Sequence, residues 1–247
     1  MKKNRFLEVC VDAVTNALVA ESAGAHRVEL CANLAKGGVT PSVTQIILTK
    51  KKLKIPVHVL IRPRPGDYLY SKIEFEIMKA DINICGEAGC DGVAIGMLNR
   101  DGTIDTEGCR ELIETARKYG MVVTFHRAFD QSIDLYQSLE TVIELGCERI
   151  LTSGGYRVAR AAGYVLKTLI ETAEDRTIIM PAAGITPENA EELIAKTGLT
   201  EMHGSFRAVT TSDMLYKNKK LNMAGEYNLW KTDPEKIKKV LKYLEEV

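Results

Sequence analysis

Two short apolar segments near the start of the chain carry acidic and thiol side chains at every second position. In FLEVCV, Glu8 and Cys10 alternate with aliphatic residues, and in RVELC, Glu29 and Cys31 do the same. A period of two is typical of a β-strand whose faces meet different surroundings. Carboxylates can transfer protons, and two neighbouring thiolates can bind a soft ion such as Cu(I). The pattern therefore predicts chemistry on one face of these strands.

Charged and polar groups also follow the later apolar segments. Arginine suits bidentate binding of a carboxylate or phosphate, and imidazole and carboxylate groups can act as general acids and bases. The residues in question are Arg62, Arg64 and Asp67 in IRPRPGDYLY, His126, Arg127 and Asp130 in TFHRAFD, Ser153 and Gly154 in LTSGG, Gly184 in PAAGIT, and His203 in HGSFR.

Short apolar segments and helical patterns alternate along the whole chain. Strands are predicted at Phe6–Val11, Arg27–Cys31, Val57–Arg62, Gly92–Gly96, Val122–His126, Arg149–Thr152, Thr177–Met180 and Glu201–His203. Eight strand–helix units in 247 residues predict an α/β fold, a TIM (β/α)8 barrel. A doubly wound open sheet is the alternative, but no GxGxxG follows the first strand.

The chain is predicted to form a single domain over residues 1–247. After the eighth strand we expect an extended C-terminal segment. Residues 205–233 lack clear periodicity and are predicted to be an irregular loop segment, and 234–246 are predicted to form a C-terminal helix.

The parity of each strand predicts which side chains enter the barrel. The uniformly apolar set must face the helices, since only that layer offers a continuous apolar surface. The opposite set then faces the interior and contains Glu8, Glu29, Arg62, His126, Glu201 and His203. Unpaired buried charge is costly, so these groups must be paired, hydrated or directed at a ligand. We expect a polar pocket at the C-terminal end of the strands.

Composition excludes several classes of partner. Lysine plus arginine and aspartate plus glutamate both number 33, so the net charge is zero and gives no general attraction to nucleic acid or an anionic membrane. No apolar run approaches the roughly 18 residues that a membrane span needs, and the N-terminus lacks a signal-peptide core. A cytoplasmic location is expected, with the six cysteines as free thiols.

The motifs LEVCVDAVTNALVAESAGAHRVELCANLAKGGVTPS, IPVHVLIRPRPGDYLYS, VTFHRAFD and RILTSGG resemble those of the CutC family of copper homeostasis proteins. The resemblance runs from residue 6 to about 207. It implies a TIM barrel, a cytoplasmic location, copper binding and a homodimer or higher homo-oligomer. It also implies Cys10 and Cys31 as copper ligands, and pocket roles for Glu8, Glu29, Arg62, Arg64, Asp67, His126, Arg127 and Asp130.

Two functions stay open at this point. The first is Cu(I) binding by Cys10 and Cys31, with a nitrogen ligand from His126 or His203. The second is an enzyme of unknown reaction on a small carboxylated or phosphorylated metabolite. Its catalytic candidates are Glu8, Glu29, His126 and Asp130, and its substrate-binding candidates are Arg62, Arg64, Asp67, Arg127, Ser153, Gly154, Gly184 and His203. No organic cofactor is predicted. The charge of the pocket favours the enzyme, because Cu(I) does not need it, whereas the resemblance favours copper.

Overall fold

The computed structural model describes residues 5–218, 220 and 225–246. Eight parallel strands alternate with helices. The strands are β1 (Phe6–Val11), β2 (Arg27–Leu30), β3 (Val57–Leu60), β4 (Gly92–Ile95), β5 (Val122–Phe125), β6 (Arg149–Thr152), β7 (Ile178–Pro181) and β8 (Glu201–Gly204). The helices are α1 (Val14–Ser22), α2 (Val43–Lys52), α3 (Lys72–Glu87), α4 (Thr106–Arg117), α5 (Leu135–Leu145), α6 (Gly163–Ala173), α7 (Pro187–Thr197) and α8 (Pro234–Glu246).

The strands follow one another around a barrel. Each of β1 to β6 pairs in parallel with the next strand along the chain, and β8 returns to pair with β1. The strands β7 and β8 lie side by side and bring the sheet round to near closure. A doubly wound sheet would instead reverse its strand order at a switch point. The predicted TIM barrel is therefore confirmed, and every predicted barrel strand is present to within two residues at each end.

Local signals explain where individual helices begin and end. Pro187 occupies the first turn of α7, and the Asn189 side chain accepts a hydrogen bond of 2.9 Å from the backbone N–H of Thr186. Helix α5 ends at Leu145 and is followed by Gly146, whose φ of 77° lies in the left-handed region that side chains disfavour. The glycine turns the chain directly toward β6.

The two faces of the strands pack into separate clusters. Leu7, Val9 and Val28 belong to the main apolar core between the strands and the helices. Cys10 and Cys31 belong to a different small cluster with Leu60 and Ala94, on the opposite face of the strands. The predicted parity is therefore the one that the structure adopts.

The segment after β8 is more regular than its sequence suggests. Strands β9 (Arg207–Thr211) and β10 (Asn228–Thr232) pair in an antiparallel sheet with Val209 opposite Trp230. The prediction of an irregular loop is wrong for these two strands. The strands are far apart in sequence, and neither shows the alternation of apolar and polar residues by which a strand is recognised. Residues 219 and 221–224 of that prediction lie outside the described part. Among the described residues, no helix is long and apolar enough to cross a membrane.

Candidate functional site

A thiol pair and a carboxylate meet at the floor of the barrel mouth. The register of β1 and β2 places Cys10 opposite Glu29. The Cys10 thiol donates a hydrogen bond of 3.2 Å to Glu29 Oε2, and its sulfur lies 3.6 Å from that of Cys31. Ligand atoms of Cys10, Glu29 and His203 all lie within 4.8 Å of one another. These residues form a candidate metal centre, which we call the thiol site together with Cys31.

The imidazole of His203 is held between two carboxylates. Its Nδ1 lies 2.7 Å from Glu8 Oε1, and its Nε2 lies 3.8 Å from Glu29 Oε2. The pairing of β8 with β1 places Glu8 opposite His203, so neighbouring strands set this geometry. Glu8 therefore orients the ring, while Glu29 contacts both the ring and the Cys10 thiol.

An ion network lies deeper in the barrel. Arg27 binds Glu8 at 2.5 Å and Glu201 at 2.6 Å, and Arg149 binds Glu201 at 2.8 Å. His58 Nδ1 lies 3.7 Å from Glu8. Arg27, Arg149 and His58 were absent from the predicted site residues, although Arg27 shares its strand face with Glu29 and carried the same signal.

The buried charges shift one another's proton affinities. Burial alone would raise the pKa of the Glu8 carboxyl, but Arg27 and then the His203 hydrogen bond hold it well below its usual range. Burial raises the pKa of Glu29. The contact with Cys31, then burial, raises the pKa of the Cys10 thiol well above its ordinary value. Although burial lowers it, the Glu29 and Glu8 carboxylates raise the pKa of His203 overall. The thiol site therefore holds thiol protons beside an acceptor carboxyl.

A cavity of about 370 Å³ opens above the thiol site at the C-terminal end of the strands. Cys10, Glu29 and His203 lie on its wall, and Gly184 lies on its rim. Among the described residues, four cationic side chains also line it: Arg62, Arg127, Arg207 and Lys236. Lys236 of α8 was not among the predicted site residues. The sequence of α8 is that of an ordinary surface helix, and no signal in it indicates that this lysine reaches the mouth of the barrel.

His126 is a neutral hydrogen-bond donor in this cavity. Its Nδ1 accepts a hydrogen bond of 3.1 Å from the backbone N–H of Ala128, so the proton of the neutral ring lies on Nε2. Burial, then Arg62, lowers the pKa of His126 to about 3. Nε2 is buried and has no partner among the described residues. These surroundings disfavour the protonated imidazolium form of His126, and so they do not favour the predicted role of His126 in proton transfer.

Asp130 holds a turn together instead of facing the cavity. Its carboxylate accepts hydrogen bonds from the hydroxyls of Thr152 and Ser153 and from the backbone N–H groups of Ser153 and Gly155. It also binds Arg127 Nε at 2.8 Å. Asp130 thus orients Arg127, and both of its carboxylate oxygens accept hydrogen bonds, which does not favour the predicted catalytic role.

Four of the predicted substrate-binding residues do not line the cavity. Arg64 binds Asp67 at 2.9 Å and Glu74 at 2.5 Å, which ties their loop to the start of α3. Ser153 and Gly154 are buried, and a Cβ on Gly154 would come within 2.7 Å of the Cβ of Ala162. The cavity lining thus includes Arg62, Arg127, Gly184 and His203 but not Arg64, Asp67, Ser153 or Gly154.

The fold and this site define a TIM-barrel protein with a buried cysteine, glutamate and histidine cluster at the C-terminal mouth. The model of the CutC family matches residues 5–208. The chain belongs to the CutC family.

Relatives match over nearly the whole chain. The copper homeostasis protein cutC homolog of Homo sapiens is 44% identical, across 95% of this chain and 88% of its own length. A family protein CutC of Histophilus somni is 43% identical, across 97% and 99%. The crystal structure of a CutC protein from Streptococcus agalactiae matches with a TM-score of 0.77 and 34% identity, covering 81% of this chain and 98% of that one.

A more distant structure shares the fold alone. Phosphoribosyl anthranilate isomerase from Thermotoga maritima matches with a TM-score of 0.60 at 14% identity, covering 98% of this chain and 100% of that one. At that identity the likeness extends to the TIM barrel and carries no statement about chemistry.

Proposed function

We propose that this chain binds Cu(I) through Cys10 and Cys31 as part of copper homeostasis. The observation that carries the proposal is the 3.6 Å separation of the two buried sulfurs, of which that of Cys10 belongs to a residue lining the cavity. Thiolate sulfur is the ligand type that Cu(I) prefers. The name of the human relative, a copper homeostasis protein cutC homolog, supports a role connected with copper.

Glu29 and His203 complete the proposed binding site. His203 Nε2 faces the thiol site, while Nδ1 is held by Glu8 at 2.7 Å, so the ring is fixed for ligation by its outer nitrogen. Glu29 accepts the hydrogen bond of the Cys10 thiol and can take its proton when the ion arrives. Copper would enter through the cavity, since Cys10 lies on the cavity wall.

Proton release accompanies copper binding in this proposal. Thiols bind metals as thiolates, and the pKa of Cys10 lies well above its ordinary value. The apparent Cu(I) affinity is therefore expected to rise with pH across the neutral range.

An anaerobic titration with Cu(I) against a competing chelator tests the proposal. We expect Cys10→Ser and Cys31→Ser each to weaken Cu(I) binding by at least about tenfold, which corresponds to 1.4 kcal/mol. Cys147→Ser is the matched control, because Cys147 is equally buried but follows α5, away from the cavity. Equal affinities of all three variants and the wild type would remove copper binding from the thiol site.

Two further expectations belong to this proposal. The chain should fractionate with the cytoplasm, where its six cysteines would stay reduced. It should also sediment as a homodimer or larger assembly, at no less than twice the 27.3 kDa of one chain. A monomer in sedimentation velocity at micromolar concentration would contradict the second expectation.

A further inference from the structure

The Arg62 guanidinium is a buried charge without a carboxylate partner. Its residue is 5% exposed. Its Nη atoms donate to the backbone oxygens of Gly38 at 2.9 Å, Gly66 at 2.7 Å and Lys36 at 3.3 Å. Within the described part of the chain, no carboxylate oxygen lies within 4.0 Å of the Arg62 nitrogens, the distance that defines an ion pair. Carbonyl oxygens accept hydrogen bonds from its Nη groups, whereas its buried Nε has no hydrogen-bond partner among the described residues, and its positive charge stays uncompensated.

The aromatic groups around Arg62 do not supply the missing charge. The guanidinium lies 4.8 Å from the centre of the Tyr68 ring. Burial raises the pKa of Tyr68, and it raises that of Tyr70 to about 12. Both phenols are therefore neutral at neutral pH. Burying a cation without a counter-charge is unfavourable, so an anion from outside the chain would stabilise this arrangement.

Most of the other charged side chains that line the cavity are also positive. Arg127 and Arg207 have carboxylate partners, Asp130 at 2.8 Å and Asp12 at 3.5 Å, neither of which lines the cavity. Glu29 is the single acidic residue among the lining residues described. The positive end of α7 also reaches the rim at Thr186 and Pro187. The cavity therefore favours negative charge.

His126 adds a neutral donor to this cationic wall. The Nδ1 edge of the ring lies against Gly96, where a Cβ would come within 2.6 Å of Nδ1. Nε2–H has no acceptor among the described residues, although His126 is only 2% exposed and lines the cavity. An unsatisfied buried donor beside an unpaired buried cation is the arrangement that an oxyanion would complete.

We propose that this cavity binds the carboxylate or phosphate group of a small metabolite, with Arg62 as its counter-charge and His126 Nε2–H as a hydrogen-bond donor. The sequence left open an enzyme that acts on a small anionic metabolite. The present proposal concerns only the binding of such an anion and assigns no reaction to the site. It lies above the thiol site and does not rest on copper binding.

The experiment titrates metal-free protein with inorganic phosphate and, separately, with acetate at matched ionic strength. The readouts are the affinity and the ¹H and ¹⁵N signals of the His126 imidazole. We expect at least one anion to bind with a dissociation constant on the order of 1 mM and to shift the Nε2–H signal. Saturation by phosphate alone identifies a phosphate site, and saturation by acetate alone identifies a carboxylate site.

Arg62→Gln is expected to weaken that binding by about tenfold or more. Arg64→Gln is the matched control, because Arg64 lies in the same loop region but outside the cavity, and it should stay within about twofold. Since Arg62 also holds loop carbonyls, His126→Phe serves as a second variant if Arg62→Gln does not fold. The proposal is overturned if neither anion binds, or if the Arg62 or His126 variant binds as the wild type does.

Discussion

The buried guanidinium of Arg27 should be the most costly charge to remove from the barrel. It is 6% exposed and bridges Glu8 and Glu201 at 2.5 and 2.6 Å. The substitution Arg27→Met keeps most of the side-chain volume but leaves two buried carboxylates without this partner. Removing one member of a buried ion pair costs about 3–5 kcal/mol. Arg149 still binds Glu201 and His203 still contacts Glu8, so we expect a value near the lower end, about 3 kcal/mol.

Urea unfolding at pH 7 measures this loss, with an unchanged slope m as the sign that only stability has changed. Arg176→Met is the control, because Arg176 also binds a carboxylate through two nitrogens, but at the surface with 41% of its side chain exposed. Surface pairs contribute little, so its loss should be a small fraction of that of Arg27→Met. Equal losses in the two variants would refute the assignment of Arg27 as a buried structural charge.

The pH dependence of the Arg27→Met loss provides a second check. In the wild type the pKa of Glu8 is lowered, so its contribution is present above its unfolded value of about 4.5 and is constant between pH 7 and 5. Without Arg27, burial favours the protonated form of Glu8, and the folded variant takes up a proton as the pH falls. The stability difference between wild type and variant should therefore shrink from pH 7 to pH 5. A constant difference would contradict this reasoning.

Three further predictions concern the same interior. Burial lowers the pKa of His58 to about 4 and that of His126 to about 3, so both rings should stay neutral from pH 8 to 5 in an NMR titration, and protonation of either at pH 6 would contradict this. Because the same rings protonate near pH 6.5 in the unfolded chain, each should lower the free energy of unfolding as the pH falls below 6.5. Gly96→Ala should lower stability by about 1–3 kcal/mol in urea unfolding and displace the His126 ring signals, whereas Gly163→Ala, with its nearest neighbour at 3.7 Å, should not. Asp130→Ala should cost at least about 2 kcal/mol by leaving the Ser153 and Gly155 N–H groups unsatisfied, and a loss below about 0.5 kcal/mol would rule out its clamp role.

Local patterns predicted the architecture because they depend only on neighbours in sequence. The alternation of Glu8 and Cys10 with aliphatic residues reports which face of β1 meets the helices, whatever the partner strands are. Helix signals such as Gly146 and Thr186–Pro187 act within one turn. For the same reason, the positions of the eight strands and the polar interior of the barrel could be derived before any contact was known.

Which polar groups meet depends on contacts between distant strands, and no local pattern encodes these. Arg64 is an arginine in the same loop as Arg62, yet it binds Asp67 and Glu74 of α3 and does not line the cavity. Strands β9 and β10 pair with each other across a long connection, and β10 also contacts α1.

The sequence by itself determined the barrel, its helix-facing apolar set and the presence of acids, thiols and imidazoles inside it. Only the tertiary structure decided that Glu8 meets His203, 195 residues away, that Asp130 is fully occupied by a turn, and that Arg62 has no carboxylate partner among the described residues. The physical reason is that periodicity sets the direction of a side chain, whereas the partner, burial and charge balance of that side chain are set by strand register and loop packing.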